Sequence, residues 1–186
     1  MKLLDTEIPD VKIIEPKVYE DKRGYFFEVF NAHKFEETFG CRFDFFQLNE
    51  SFSKKGTIRG MHLQMQPFAQ AKLIRVCYGE IIDVAVDCRP ASESFGKHVA
   101  VRLSGKNKRQ LWIPEGFAHG FQVLSDECTV NYLVNAPRNA NAEIEINCFD
   151  KDLAINWRAG KTKIMSEKDQ FAKSFIEASG LFADAN

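Results

Sequence analysis

The feature that most constrains the fold of this 186-residue chain is a succession of short segments with a two-residue hydrophobic period. In one of them Val99, Val101 and Leu103 alternate with residues that are smaller or more polar, which is typical of a strand with one buried face. Turn signals separate the segments at 89–90, 104–107, 114–116 and 136–141. Because the segments follow one another without interleaved helices, we predict an all-β sandwich or barrel from about Lys12 to Trp157, not a parallel α/β sheet.

Two neighbouring segments, 73–77 and 81–87, flank Gly79 and Glu80 and are predicted to pair as a hairpin. The second segment alternates branched apolar residues with Asp83 and its neighbours at two-residue spacing. That period predicts a half-buried strand.

Helical signals are confined to two places. The first is Asn31–Phe39, where Gly40 supplies a carboxy-terminal stop. The second is Ser166–Phe182, with Ser166 as the candidate N-cap and three apolar residues expected on one side, namely Phe171, Phe175 and Ile176. This second helix is expected to pack onto the β domain and cover one end of it.

Composition and charge describe an ordinary soluble globular protein, with 45% hydrophobic and 27% charged residues. The formal net charge of −1 provides no broad positive field for nucleic acid or an anionic membrane. Asp5 and Glu7 stand where a signal peptide needs an apolar stretch, and no run approaches the roughly 18 apolar residues of a membrane span. We therefore expect one domain over 1–186, with no nucleic-acid or membrane partner.

The cysteines are odd in number and show neither a CxxC motif nor metal-ligand spacing. They are Cys41, Cys77, Cys88, Cys128 and Cys148. Buried free thiols in a reducing compartment explain this pattern, and a cytoplasmic location is expected.

The segment 60–64 contains His62 and Gln64, and the segment 113–121 contains a Pro-x-Gly-x-x-His turn that ends at His119. These two histidine-bearing segments resemble the two-part layout of cupin β-barrels. Metal-binding cupins carry His-x-His and a nearby Glu in the first segment, whereas here a glutamine stands in the third position and no Glu follows within reach. Two imidazoles fall short of the three protein ligands usual at a catalytic metal, so neither a metal nor another cofactor is expected.

Arg59 and His62 are candidates to line one cavity together with Lys72. A strict period of two would put Arg59 and His62 on opposite faces of a strand. Gly60 lies between them, and we hypothesise a β-bulge there that redirects one of the two side chains.

A series of segments, specific in its order and spacing, identifies a family resemblance. The segments are 21–26 with Glu28, 47–51, 56–64, 70–76, 79–84, 110–121, 123–126, Tyr132 and 152–157. On these the chain resembles the dTDP-4-dehydrorhamnose 3,5-epimerase family from about Asp21 to Asp169. The resemblance implies a cupin jelly-roll β-barrel with a short carboxy-terminal helix, and a homodimer.

The resemblance also implies a metal-independent isomerase acting on a nucleotide-linked 4-keto-6-deoxy sugar, with inversion at C3, C5 or both. His62 would be the general base that removes a proton beside the C4 ketone, and Asp169 would hold its tautomer. Lys72 would stabilise the enolate oxygen, and Tyr132 would return a proton from the opposite face.

Each of these four residues also has a plainer explanation. A histidine at such a position often satisfies a hydrogen bond of the core. Asp169 closes a Ser-x-x-Asp capping box that starts at Ser166, and one carboxylate is not expected to serve both as cap and as partner of a base. Lys72 is alternatively a solvated strand lysine, and Tyr132 an ordinary strand aromatic.

Binding of the nucleotide diphosphate is assigned to cations, hydrogen-bonding side chains and one aromatic ring. The set is Arg23, Phe26, Glu28, Gln47, Asn49, Arg59, His119, Arg138, Glu143 and Lys168. By the resemblance, Arg23, Arg59 and His119 suit the diphosphate, and Phe26 would stack on the base. Glu28, Gln47 and Asn49 offer hydrogen bonds suited to a base or sugar, and Glu143 and Lys168 are further residues carried over from the family. Each charged residue taken alone would be assigned to the solvated surface.

The chain departs from the family pattern after Tyr132. Pro137 and Arg138 occupy the places of an aromatic pair that, in the family, packs the base end of the nucleotide. Arg138 is expected either to alter the nucleotide preference or to point to solvent in a remodelled loop.

Two other functions remain open from the residues alone, a non-catalytic cupin that binds a sugar nucleotide and a metal-dependent cupin oxygenase or isomerase. The joint presence of a base, an opposed acid and an enolate-stabilising lysine favours the epimerase, because a binding protein needs no such set.

Overall fold

The computed structural model describes residues 1–40, 42–45, 47–158 and 163–182. Within these residues it contains thirteen strands and three helices. The strands are β1 (Lys2–Asp5), β2 (Lys12–Glu15), β3 (Tyr19–Asp21), β4 (Gly24–Phe26), β5 (Gln47–Lys54), β6 (Ile58–Gln64), β7 (Lys72–Tyr78), β8 (Glu80–Asp87), β9 (His98–Ser104), β10 (Gln110–Ile113), β11 (Phe117–Val123), β12 (Glu127–Val134) and β13 (Glu143–Glu145). The helices are α1 (Ala32–Phe39), α2 (Glu167–Gln170) and α3 (Phe175–Phe182).

Two sheets of antiparallel strands face each other in a jelly-roll arrangement. The six-stranded sheet has the order β1-β2-β10-β7-β12-β5, and the five-stranded sheet has the order β13-β6-β11-β8-β9. Strands β3 and β4 pair separately as a hairpin. The predicted all-β class is confirmed, and the strands begin ten residues earlier than predicted, because Lys2–Asp5 pairs with Lys12–Glu15.

The main core lies between the two sheets and follows the predicted alternation. Val99, Val101 and Leu103 of β9 are buried, whereas Ala100 and Arg102 are exposed. They pack in one cluster with inward residues of β7, β11 and β12. Full burial of each such aliphatic side chain stabilises the fold by roughly 1.5–3 kcal/mol.

The prediction of a half-buried strand at 81–87 is wrong, because both faces of β8 are buried. Ala85 points into the main core, and Val84 points outward into a second cluster that includes Phe175 and Phe182 of α3. The carboxy-terminal segment thus covers the outer face of the five-stranded sheet.

The predicted hairpin between 73–77 and 81–87 is also wrong. Strand β7 pairs with β10 and β12, whereas β8 pairs with β9 and β11, so the chain crosses between sheets at Gly79. Gly79 has a φ of +82°, and a Cβ there would collide with the backbone of Glu127. The chain does turn at the predicted position, but a turn signal alone does not determine which strands pair.

Helix α1 confirms the first helical prediction. The Asn31 side chain accepts a hydrogen bond from the backbone N–H of Lys34 at 3.1 Å, and Gly40 ends the helix at a φ of +69°. Phe35 of α1 is buried against Trp112, with ring centroids 5.2 Å apart, on the outer face of the six-stranded sheet.

The prediction of one helix over Ser166–Phe182 is wrong. The chain leaves α2 after Gln170 and forms an isolated bridge from Lys173 to Ile146. The new helix, α3, then follows Ser174. The Ser174 hydroxyl accepts from the Glu177 N–H at 3.3 Å, and the Glu177 carboxylate accepts from the Ser174 N–H at 2.8 Å. This second capping box was present in the sequence and was missed.

The break also changes the predicted apolar side of this region. Phe175 is buried, but Phe171 and Ile176 are 86% and 68% exposed. Nowhere in the described ranges is there a helix long and apolar enough to cross a membrane.

Candidate active site

A cavity of about 730 Å³ opens between the two sheets. Eleven of the fourteen predicted site residues line it: Gln47, Asn49, Arg59, His62, Lys72, His119, Tyr132, Arg138, Glu143, Lys168 and Asp169. Its walls also carry apolar side chains, among them Phe121 and Val134. Such a lining, apolar with a few convergent polar groups, is usual for small-molecule sites.

Strand register explains how the six-stranded sheet supplies its share of the lining. On β12, Tyr132 lies opposite Asn49 of β5 and Ile74 of β7, and Val134 lies opposite Gln47 and Lys72. Directly opposite residues share a face of a sheet. Tyr132, Asn49, Gln47 and Lys72 therefore all point toward the five-stranded sheet.

The hypothesised bulge at Gly60 is confirmed. His62 pairs with His119 and Arg59 pairs with Phe121, so two residues of β6 stand opposite Gly120 alone. Gly60 has a φ of +107°, and a Cβ there would lie 2.6 Å from the Gly120 Cα. The extra residue turns Arg59 and His62 to the same cavity, which strict alternation would have prevented.

The general-base candidate is held by a buried carboxylate. His62 Nε2 lies 2.6 Å from Asp169 Oδ1, and the Asp169 side chain is 3% exposed. Burial raises the pKa of Asp169, but hydrogen bonding and charge attraction from His62 oppose it and the pKa is lowered overall. An ionised Asp169 accepts the Nε2 proton of His62 and leaves Nδ1 as the basic nitrogen.

The two explanations considered for Asp169 prove compatible. The Ser166 hydroxyl caps α2 by accepting from the backbone N–H of Asp169 at 3.3 Å. Because the cap uses the amide of Asp169, the carboxylate remains available to His62. Asp169 thus takes part in both through different groups, which agrees with the expectation that a single carboxylate would not serve both purposes.

Lys72 links the two sheets inside the cavity. It is 8% exposed, and its Nζ donates a hydrogen bond to the backbone oxygen of His62 at 3.2 Å. The explanation as a solvated lysine is wrong. Burial lowers the pKa of Lys72 to about 8, so most of the ammonium is retained at neutral pH.

Tyr132 enters the cavity from the sheet opposite His62. Its hydroxyl lies 2.6 Å from the hydroxyl of Ser51, and its ring centroid lies 6.2 Å from that of His119. Burial raises the pKa of Tyr132, and the hydrogen bond with Ser51 opposes that shift.

Arg59 and His119, also on the cavity wall, are each held by a neighbouring side chain. Arg59 donates from Nε to the Ser53 hydroxyl at 3.0 Å. His119 is 6% exposed, and its Nε2 lies 2.7 Å from Asp83 Oδ1. Burial lowers the pKa of His119 and raises that of Asp83, which favours a neutral imidazole at this position.

Charged residues from two regions of the chain form a network at the cavity mouth. The Glu143 carboxylate accepts from Arg138 at 2.7 Å and from Lys168 at 3.0 Å, and Lys168 also contacts Glu145. Burial raises the pKa of Glu143, but its two cationic partners prevail and the pKa is lowered. Arg138 is thus held at the mouth although its side chain is 64% exposed.

Three predicted binding residues lie away from this cavity. Arg23 is in the turn between β3 and β4, with its side chain 89% exposed and paired with Asp21. Phe26 is 72% exposed, and Glu28 pairs with Lys34 of α1. This chain alone does not bring them to His62.

The described parts of the chain contain no group of three or more His, Cys, Asp or Glu side chains that could hold a metal ion.

Comparison with known proteins shows the family to which the chain belongs. A model of the dTDP-4-dehydrorhamnose 3,5-epimerase family matches residues 5–177. The dTDP-4-dehydrorhamnose 3,5-epimerase of Shigella flexneri is 50% identical over 178 residues, covering 96% of this chain and 98% of that protein. The chain belongs to the dTDP-4-dehydrorhamnose 3,5-epimerase family. It is therefore an isomerase that epimerises a nucleotide-linked keto sugar.

Solved structures show the same fold at comparable identity. A dTDP-6-deoxy-D-glucose-3,5-epimerase from Legionella pneumophila, in complex with dTDP-4-keto-L-rhamnose, superposes with a TM-score of 0.92 at 46% identity and covers 94% of this chain and 93% of that one. A 3'-monoepimerase from Streptomyces bikiniensis, in complex with dTDP-quinovose, gives a TM-score of 0.90 at 29% identity over 95% of this chain and 89% of that one.

Three polar residues that contact site side chains were not assigned a role from the sequence. Ser51 and Ser53 follow Gln47 and Asn49 at two-residue spacing on β5, and this spacing alone indicated that all four share the cavity face. Asp83 was read as a solvent-facing residue of β8, although it is fully buried beside His119.

Proposed function

We propose that this epimerase inverts C3, C5 or both in a dTDP-linked 4-keto-6-deoxy sugar, most simply dTDP-4-dehydro-6-deoxyglucose. The observation that carries the proposal is the placement of His62 and Tyr132 on opposite sheets of one cavity. Inversion requires that a proton leave one face of a carbon and arrive at the other. A base and an acid that enter from opposite walls can do this without rotation of the substrate.

The first step is removal of a proton from the carbon beside the C4 ketone by Nδ1 of His62. Asp169 supports this role, because its ionised carboxylate stabilises the imidazolium that forms. The electrons of the broken C–H bond move to the ketone oxygen and give an enolate. The Lys72 ammonium, buried beside His62, would donate to that oxygen when its charge develops.

The second step is proton donation by the Tyr132 hydroxyl to the opposite face of the same carbon. No further chemical group is needed for the inversion, since the enolate carbon is planar and accepts a proton on either side. We expect the reaction to need neither a metal nor an organic cofactor.

Nucleotide binding is proposed for the polar residues that surround this centre. Arg59 presents a guanidinium held by Ser53 and suits a phosphate oxygen. Gln47 and Asn49, joined by a hydrogen bond of 2.7 Å, offer amide groups further along the same face of β5. The relatives whose names specify dTDP support thymidine as the base.

A homodimer is proposed to complete the site with Arg23, Phe26 and Glu28 of a second copy. The β3–β4 hairpin exposes Phe26, and the edge strand β5 exposes Leu48 and Phe52 by 66% and 54%. Pairing of two copies would remove such apolar side chains from water and protect an open edge.

A cytoplasmic location is proposed for the same protein, in agreement with the buried free thiols of Cys88, Cys128 and Cys148.

Mixing of two inactive variants tests this arrangement. Arg23→Ala and His62→Ala subunits, unfolded and refolded together, would form heterodimers with one intact site if Arg23 acts across the interface. Recovery of activity above that of either variant alone supports the homodimer. No recovery, or a monomer by sedimentation at micromolar concentration, contradicts it.

A single-centre epimerase is the second candidate, and the similarity to a 3'-monoepimerase favours keeping it. One experiment distinguishes the candidates: the protein is incubated with dTDP-linked 4-keto sugars in deuterated water, and deuterium is located by NMR. Label and inversion at both C3 and C5 support the double epimerase, and inversion at one carbon supports the single-centre enzyme. Binding without exchange would indicate a non-catalytic binding protein.

A further inference from the structure

Ser51 makes a side-chain contact with the proton donor. Its Oγ lies 2.6 Å from the Tyr132 Oη, within the range of a hydrogen bond between two hydroxyls. Strand register shows how the two residues meet. Tyr132 lies directly opposite Asn49, and its side chain extends diagonally to Ser51, which is two residues further along β5. Both line the cavity that contains His62.

The surroundings of Tyr132 make loss of its proton costly. The ring packs against Phe121 and His119, with centroids 6.2 Å away in both cases. A phenolate formed here would lose much of its hydration, and burial disfavours the charged form of any such group. A hydrogen-bond donor already in contact with the oxygen would offset part of that cost, since bonds to charged partners are the stronger ones.

We propose that Ser51 is a positioning residue that donates its O–H to the Tyr132 oxygen and so keeps the Tyr132 proton directed at the substrate carbon. This rests on the proposed function, in which Tyr132 is the acid. In the step concerned, the O–H bond of Tyr132 breaks, its electron pair stays on the phenolate oxygen, and the proton forms the new C–H bond at the enolate carbon. The Ser51 hydroxyl loses no proton in this step and stabilises the phenolate.

The direction of the hydrogen bond between Ser51 and Tyr132 determines whether the phenol proton can reach the substrate. If Tyr132 donated to Ser51, the proton needed by the substrate would point at β5. If Ser51 donates, the phenol proton can rotate toward the cavity while the oxygen remains anchored. The second orientation becomes stronger as charge develops on Tyr132, and the first is lost.

The test compares Ser51→Ala with Ser51→Thr, which keeps the hydroxyl. Inversion and deuterium exchange at the reacting carbon are both followed by NMR. Ser51→Ala should slow inversion about 10- to 100-fold, the range of one hydrogen bond to a charged group. Exchange through His62 and dTDP affinity should stay within about twofold of the wild type. Ser51→Thr should restore most of the inversion rate.

Ser179→Ala is the matched control, because its hydroxyl bonds the Ile176 carbonyl on α3, outside the cavity. It should leave inversion and exchange unchanged. If Ser51→Ala does not fold, Ser51→Cys, with a weaker donor of similar size, takes its place in the same comparison.

Two results would overturn the proposal: inversion unchanged in the variant, or exchange slowed as much as inversion. Both results are meaningful only if the wild-type enzyme inverts the substrate. Absence of inversion by the wild type on every 4-keto sugar tried would instead count against the proposed function.

Discussion

The Asp169 carboxylate lies 2.6 Å from His62 Nε2, although 107 residues separate the two in the chain. The contact exists because α2 closes over the bulged strand β6, and the Ser166 cap fixes the first turn of that helix. A buried carboxylate in this position sets the tautomer of the imidazole and stabilises its protonated form. The active-site base is therefore coupled to the folding of the carboxy-terminal segment.

The first prediction concerns His62→Ala. Turnover should fall by about 10²–10⁴-fold, the usual contribution of a general base. Binding of dTDP should survive, since the amide and guanidinium groups proposed for the nucleotide lie on other residues. Steady-state kinetics and calorimetry measure the two quantities. Retention of more than about a tenth of the wild-type rate would show that His62 is not the base.

The second prediction separates Tyr132 from His62. Tyr132→Phe removes the proposed acid but leaves the base, so deuterium should still exchange into the reacting carbon while inversion fails. Both quantities come from one NMR time course in deuterated water. If exchange and inversion fall together, Tyr132 has not been shown to be the acid.

The third prediction is an alkaline limit to the reaction. Burial lowers the pKa of Lys72 to about 8, so the ammonium is present below that pH and is lost above it. If this charge stabilises the enolate, kcat should decrease as the pH rises through about 8. In Lys72→Arg the cation persists, and the decrease should move to higher pH. A profile unaltered by that substitution would contradict the role of Lys72.

The fourth prediction is that the reaction needs no metal ion. Prolonged treatment with EDTA followed by gel filtration should leave kcat unchanged, and added Zn²⁺ or Mn²⁺ should not increase it. The reason is the ligand count read from the sequence, two imidazoles where a catalytic metal usually has three protein ligands. Loss of activity on chelation, recovered by one metal, would contradict this prediction.

Much of the site could be predicted from two signals in the sequence. Strand alternation indicates which residues share one face of a strand, and the family segments indicate which of those residues line the site. Gln47 and Asn49 on β5 and the bulge at Gly60 were anticipated in this way. Strand pairing could not be, since it is determined by contacts between distant segments. The sequence around Gly79 therefore predicts a hairpin, whereas the chain crosses there from one sheet to the other.

The break in the predicted carboxy-terminal helix has a similar cause. It depends on a bridge between Lys173 and Ile146, which lie far apart in the chain. Local propensity continues through 171–174, whereas the tertiary contact and the second capping box end the helix there. The burial of Asp83 could not be predicted for a related reason. Asp83 shares with Ala85 the face of β8 that points between the sheets, whereas α3 covers the branched apolar residues that made the opposite face look like the buried one.

The last prediction concerns Arg138, at a position where the sequence resemblance leads us to expect an aromatic residue. Its guanidinium is held by Glu143 at 2.7 Å on the mouth of the cavity, so it is positioned rather than free in a loop. Donors discriminate among bases better than an aromatic face does, because they must match acceptors in direction. Arg138→Tyr should therefore change the relative affinities for dTDP, UDP, CDP and GDP.

Calorimetry on the wild type and on Arg138→Tyr measures these affinities. Glu143→Gln is the companion variant, because it keeps the size of the side chain but weakens the hold on Arg138. It should shift the order of affinities in the same direction. If all three proteins bind the four nucleotides in one order with equal ratios, Arg138 does not contribute to the choice of base. The preference would then have to come from groups deeper on β5, where Gln47 and Asn49 present their amides to the cavity.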